Sequence, residues 1–212
     1  MADSDYEASY NIGVFYQQLE DYKLAEFWYK KSWNISQNKD SAFNLGQIYK
    51  RNNNINKAIQ WYKKASQLGD NSGAFLLGVI YENNFKKYNE AIKWYKKSYN
   101  HFKDKDAANN LGLLYKNQKD YKKSEVWYKK AVERESLDAL KNLGRLYHYK
   151  LQDDVQAVTY FIALINNKYP KKRILSYMRE DWKLPCSTIQ KGYQAQLNSK
   201  IIPEKLKYKG GI

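Results

Sequence analysis

Cysteine is almost absent from this chain. Cys186 is the single one in 212 residues, so no disulfide can form within the chain and a disulfide scaffold is excluded. A reducing compartment is expected. No stretch approaches ~18 continuous apolar residues, so no transmembrane helix is expected. The start, MADSDYEASYNIGVFY, lacks the basic-then-apolar pattern of a signal peptide. The expectation is a soluble intracellular protein, most simply cytoplasmic. Histidine is scarce as well. His101 and His148 have no Cys or His neighbour at metal-ligand spacing and are expected at the surface. No Gly-rich phosphate loop occurs, Cys186 has no base near it in sequence, and Glu133 and Glu135 form an ordinary acidic turn. No catalytic residue, metal site or cofactor is expected, and so no enzyme. Acids are outnumbered, with 22 Asp and Glu against 37 Lys and Arg and a net charge of +15. High net charge with low mean hydropathy can mark disorder, but an aromatic content of 16% argues against it.

What is present is a repeat. "WYKK" occurs at 28–31, 61–64, 94–97 and 127–130, at a constant interval of 33 residues. Gly13, Gly46, Gly78, Gly112 and Gly144 recur at intervals of 32 to 34, each three residues before a tyrosine. Ala25, Ala58, Ala91, Ser124 and Ala157 follow 12 or 13 residues later. After them come Trp28-Tyr29, Trp61-Tyr62, Trp94-Tyr95, Trp127-Tyr128 and a weaker Tyr160-Phe161, then Ser32, Ala65, Ser98, Ala131 and a divergent Leu164.

Within one unit, Ala42, Leu45, Gly46 and Tyr49 fall at i, i+3, i+4 and i+7, one face of a helix. Ala58, Trp61, Tyr62 and Ala65 repeat that pattern on a second helix, across an Asn-rich turn at 51–56. A lone hairpin of this size cannot bury its own apolar face, so neighbours must stack. Glycine inside a helix costs roughly 0.5–1 kcal/mol relative to alanine, so its recurrence requires a close approach that a side chain would block. At 100° per residue the Trp-Tyr pair faces the core and the lysines face solvent.

Leu45-Gly46-x-x-Tyr49 with Ala58, Tyr62 and Ala65 resembles the tetratricopeptide repeat family, and Trp61–Ala65 is similar to the related Sel1-like repeats. The resemblance implies an all-α, right-handed α-solenoid of five helix-turn-helix repeats, at about 6–38, 39–70, 71–104, 105–136 and 137–168. Residues 1–5 would be an N-terminal extension. Pro170, Pro185 and Pro203 all follow residue 169, so the array is expected to end there. A capping helix is expected over 169–184, with Ile174, Tyr177, Met178 and Trp182 on its apolar side. A basic tail, 185–212, is expected to dock on the array or on another copy.

The resemblance also implies that the first helices line a concave groove holding a partner segment. The groove positions are then Tyr10, Asn11 and Val14; Phe43, Asn44 and Gln47; Phe75, Leu76 and Val79; Asn109, Asn110 and Leu113; and Lys141, Asn142 and Arg145. Asparagine amides can both donate to and accept from a peptide backbone. Phe43 and Phe75 could anchor apolar side chains, and Lys141 with Arg145 could pair with a carboxylate. Of the Lys/Asn/Arg clamp by which some relatives hold chaperone tails, only Asn44 is present, so chaperone-tail binding is not expected.

Lys30, Lys63, Lys96 and Lys129 would form an outer basic ladder. Three functions therefore stand: an adaptor binding a peptide or helix of another protein; a basic module docking an acidic protein, an anionic membrane or nucleic acid; and a structural protein self-assembling through its tail. The first is favoured, because the aromatics that would stack on bases are used in the core.

Overall fold

A computed structural model describes residues 2–165 and 167–212, and the side chains from residue 5 onward apart from residue 166. The chain forms two compact units, Met1–Phe102 and Lys103–Ile212. Among the described residues every regular element is helical, and no strand is present.

The first unit is three helical hairpins: α1 (Ala2–Gln18) with α2 (Tyr22–Ile35), α3 (Lys39–Arg51) with α4 (Ile55–Gln67), and α5 (Asn71–Asn83) with α6 (Tyr88–Phe102). The second contains α7 (Lys105–Asn117) with α8 (Tyr121–Glu133), then α9 (Leu137–Leu146) with α10 (Asp154–Ile162). It continues with α11 (Lys171–Ser176) and α12 (Cys186–Leu197). Two wider π-type turns, Tyr147–Leu151 and Tyr177–Asp181, prolong α9 and α11. Met1 lies outside the described residues. Residues 2–5, read from the repeat register as an extension, belong to α1.

Each hairpin turn uses the same local chemistry. One residue takes a left-handed conformation: Glu20, Asn53, Lys86, Lys119 and Gln152, with φ of 54° to 62°. In four of the five, the next residue caps the second helix with a side-chain oxygen. Asp21 accepts from the Leu24 amide, Asn54 from Lys57, Asp120 from Lys123 and Asp153 from Gln156. A left-handed residue ends one helix and an Asp or Asn opens the next, so the turns stay short.

The recurring glycines are notches for rings. A Cβ built on Gly13 would lie 2.7 Å from the Tyr29 ring, one on Gly46 2.6 Å from Tyr62, and one on Gly78 2.5 Å from Tyr95. Gly112 faces Tyr128 and Gly144 faces Phe161 in the same way. The close approach required by the sequence is thus between the first helix's backbone and the second helix's ring. Tyr29, Tyr62, Tyr95 and Tyr128 are fully buried. Burial pushes each of the Tyr29, Tyr62 and Tyr128 phenols well above its ordinary pKa.

The tryptophans depart from expectation. Tyr and Trp are not equal partners in the core: Trp28, Trp61 and Trp94 are half-buried, and Trp127 is the one that is buried. They lie at the flank of their helix, where the second lysine of the motif covers them. Lys31 Nζ is 4.7 Å from the Trp28 ring, Lys64 3.9 Å from Trp61, Lys97 5.2 Å from Trp94 and Lys130 4.2 Å from Trp127. Trp-x-x-Lys places ring and ammonium one helical turn apart, which suits a cation–π contact.

Tyrosine hydroxyls divide the repeats. Tyr29 donates to Gln17 at 2.8 Å, Tyr62 to Gln47 at 3.2 Å and Tyr95 to Glu82 at 2.8 Å. Among the described residues the buried Tyr128 hydroxyl has no hydrogen-bond partner. An unpaired buried polar group costs about 1–3 kcal/mol. Tyr128→Phe is therefore expected to raise stability by about 1 kcal/mol, whereas Tyr29→Phe lowers it by removing a made bond. Urea unfolding of both variants checks the opposite signs.

After α10 the chain turns at Pro170 into α11. Ile174, Met178 and Trp182 are buried, and Tyr177 is half-buried. The segment 185–212, read from composition as a tail, contains α12, which packs on α10 with Gly192 against Val158. The buried Gln196 then holds an extended stretch: its amide donates to Tyr208 O at 2.8 Å and its carbonyl accepts from Tyr208 N at 3.1 Å. Lys171 donates to Gly211 O at 2.6 Å. The end of the chain is packed within its own unit. No described helix is long and apolar enough to cross a membrane.

Candidate functional site

In the first unit, the residue three places before each glycine is aromatic and packs on its own hairpin's tyrosine. Centroid separations are 5.6 Å for Tyr10–Tyr29, 5.9 Å for Phe43–Tyr62 and 5.7 Å for Phe75–Tyr95, with interplanar angles of 45° to 48°. These rings are half-buried, one face on the protein and one edge open. Asn11 is exposed, and Asn44 donates to the Tyr10 hydroxyl at 3.3 Å. Gln47 accepts from Tyr62, which leaves its amide N–H groups outward. Val14, Leu76 and Val79 are half-buried between these positions.

In the second unit the same positions become polar and basic. Asn142 donates to Asn109 Oδ1 at 3.0 Å, linking α9 to α7. Asn110 and Leu113 are half-buried on α7. The rule in both units is that the residue two before one glycine reaches the residue three before the previous one. Two of the asparagines thus bind their neighbours rather than presenting a bare amide row.

Lys141 and Arg145, one turn apart on α9, border a cavity of about 330 Å³. Three features of the chain build it. Phe161 fills the notch at Gly144 and brings the end of α10 onto α9. Phe161 then stacks with Tyr177 at 5.6 Å and 8°, which fixes the segment after α11. Tyr169 and Arg173, on either side of Pro170, close the remaining wall. Lys141 Nζ lies 5.9 Å and Arg173 Cζ 5.1 Å from the Tyr169 ring centroid. Among the described residues Lys141, Arg145 and Arg173 make no ion pair. Among the described residues the one acid on the lining is Asp181. Burial raises the Tyr177 phenol, but hydrogen bonds with Tyr149 and Arg145 and the Arg145 charge outweigh it, so its pKa lies below the ordinary value.

The lysine ladder takes a different form from four solvated ammoniums. Lys30 pairs with Glu26 at 2.6 Å and Lys129 with Glu125 at 2.5 Å, while Lys63 and Lys96 are half-buried. Each of those glutamates also accepts from a tyrosine hydroxyl of the following first helix, Tyr49 at 2.6 Å and Tyr147 at 2.7 Å. Lys30 and Lys129 therefore belong to the joint between hairpins.

Neither histidine is a ligand candidate. His101, expected at the surface, lies in the last turn of α6 and is exposed. His148, expected at the surface, stacks on Trp182 at 4.3 Å with Nδ1 2.6 Å from Asp154. Among the described residues no group of three or more His, Cys, Asp or Glu could hold a metal ion.

Residues 18–98 match the family described as Anaphase-promoting complex, cyclosome, subunit 3, and residues 106–136 match the family Tetratricopeptide repeat. The findings support a tetratricopeptide-type repeat in this chain, on a fold shared with Sel1-like repeats. Tetratricopeptide-repeat folds of this kind generally mediate protein–protein interaction. No curated protein sequence matches this one.

Among solved structures the repeat protein is similar to pilF of Pseudomonas aeruginosa, with a TM-score of 0.65, 16% identity and coverage of 93% of this chain and 92% of that one. A Sel1 repeat protein from Oxalobacter formigenes gives 0.62, 23%, 91% and 87% for the same measures. YrrB, described as a TPR protein with an unusual peptide-binding site, gives 0.59, 16%, 83% and 91%. At these identities the likeness concerns the fold alone.

Among the sequence-derived site residues of the repeat protein, Lys141 and Arg145 come together on one cavity. Tyr169, Arg173 and Tyr177 were missed. They lie in the segment assigned to a cap, where no repeat register marks an inward face; the only signal was the basic run Lys171-Lys172-Arg173 directly after Pro170.

Proposed function

We propose that this protein is a protein–protein interaction scaffold that holds a partner segment on the open faces of its first helices. Partner apolar side chains rest against Phe43, Phe75 and Leu113. Gln47 and the asparagines offer amide groups to the partner backbone. Lys141 and Arg145 select an acidic group. The observation that carries this reading is the cavity of about 330 Å³ bordered by those two cations, neither of which is engaged by an acid among the described residues. Cations arranged around a concave space are a recognition device, whereas the ladder lysines that pair with Glu26 and Glu125 serve the protein's own joints. Docking of a polyanion through the ladder is accordingly the weaker reading. The role is binding, not catalysis.

The test is an array of acidic and neutral 15-residue peptides probed with the protein and with Lys141→Glu/Arg145→Glu. Charge reversal at a contact of this kind is expected to lower binding of the acidic peptides by about tenfold or more, with unchanged helical circular dichroism. Equal binding by the variant would remove the basis of the assignment.

A further inference from the structure

We propose that the cavity bordered by α9, α10 and α11 receives a phosphate monoester carried on a side chain of the partner: a phosphoserine, phosphothreonine or phosphotyrosine. This rests on the reading of the protein as a scaffold with an acid-selecting end, and it names the acid.

Charge balance is the first argument. Lys141, Arg145 and Arg173 bring three positive charges to one cavity, and Asp181 brings one negative charge, a net of two. A phosphate monoester carries about −1.5 to −2 at pH 7, a carboxylate only −1. A single Glu or Asp side chain would leave the site undercompensated.

Donor geometry is the second. Two of the three cations are guanidiniums, planar forks that suit phosphate oxygens bidentately. They come from different elements, Arg145 from α9 and Arg173 from α11, so they can approach one group from two sides. Arg173 is already steered by an aromatic neighbour, lying over the Tyr169 ring at 5.1 Å. Side chains held in place before binding lose less conformational freedom on engagement.

Space is the third. A cavity of about 330 Å³ corresponds to roughly ten water volumes, more than a phosphate group fills. The surplus is bordered by Phe161 and Ile174, whose small exposed apolar edges suit the carrier's carbon atoms. An anion-binding corner beside an apolar wall fits a phosphorylated side chain better than a free ion.

The experiment measures fluorescence polarisation of three labelled peptide pools, degenerate except for a fixed central phosphoserine, glutamate or serine, with inorganic phosphate as competitor. The phosphoserine pool is expected to bind about tenfold more tightly than the glutamate pool, as charge-assisted bidentate bonds to a dianion require. Arg173→Gln is expected to abolish that preference by weakening phosphoserine binding more than glutamate binding, and Lys141→Gln to reduce it. Thermal melts confirm that both variants are folded.

Equal binding of phosphoserine and glutamate pools would overturn the phosphate assignment and leave acid capture standing. Equal binding of all three pools would overturn both. If inorganic phosphate binds as tightly as the phosphoserine pool, the site takes the free ion and the partner-borne phosphate is refuted.

Discussion

Gly46→Ala lowers the stability of the first unit by about 1–3 kcal/mol, the usual cost of overpacking a filled core. The sign is the informative part. In the middle of a helix alanine is better than glycine by roughly 0.5–1 kcal/mol, so propensity alone gives the opposite result. The new methyl would sit 2.6 Å from two atoms of the Tyr62 ring, and that ring is fully buried and has no room to retreat. Urea unfolding followed by circular dichroism measures the change. A stabilised variant would mean that the notch is not filled by the ring.

Tyr62→Ala costs more, about 3–5 kcal/mol, the range for removing a large buried aromatic. It also strands Gln47, which accepts the Tyr62 hydroxyl at 3.2 Å. Trp61→Ala, one residue away in the same motif, costs less. Trp61 is half-buried against two core clusters, and its removal gives up part of that packing together with the Lys64 ammonium at 3.9 Å and an edge contact with Trp33 at 5.3 Å. Contacts of these kinds contribute about 0.5–2 kcal/mol each. The order Tyr62→Ala worse than Trp61→Ala is read from two melts, and the reverse order contradicts the division of the motif between core and flank. Combining Gly46→Ala with Tyr62→Ala should cost less than the two separately, because removing the ring removes the clash.

The sequence displayed the hairpins and their glycine notches because a period near 33 repeats the same complementarity five times. Gly46 and Tyr62 are 16 residues apart, as are Gly13 and Tyr29 and Gly112 and Tyr128. A physical reason for glycine was available before its partner was known. The unequal roles of Trp61 and Tyr62 were hidden, since adjacent positions on a helix fall within one broad arc and the arc cannot distinguish a facing helix from a covering lysine. The cavity was half visible. Lys141 and Arg145 stand out at repeated positions, but Tyr169 and Arg173 lie in a stretch that occurs once, so no comparison between copies marks them. Lys30 and Lys129 looked free because the glutamates that hold them, Glu26 and Glu125, have Ile59 and Ile92 at the same place in the other copies.

In the first unit the rings set into glycine notches join the two helices of a hairpin more closely than one hairpin is joined to the next. Under tension such a chain would not give way all at once. Within the first unit each hairpin would come free as a separate link, so a partner bound along several hairpins would act as a rivet, sharing load between links that otherwise hold only their immediate neighbours.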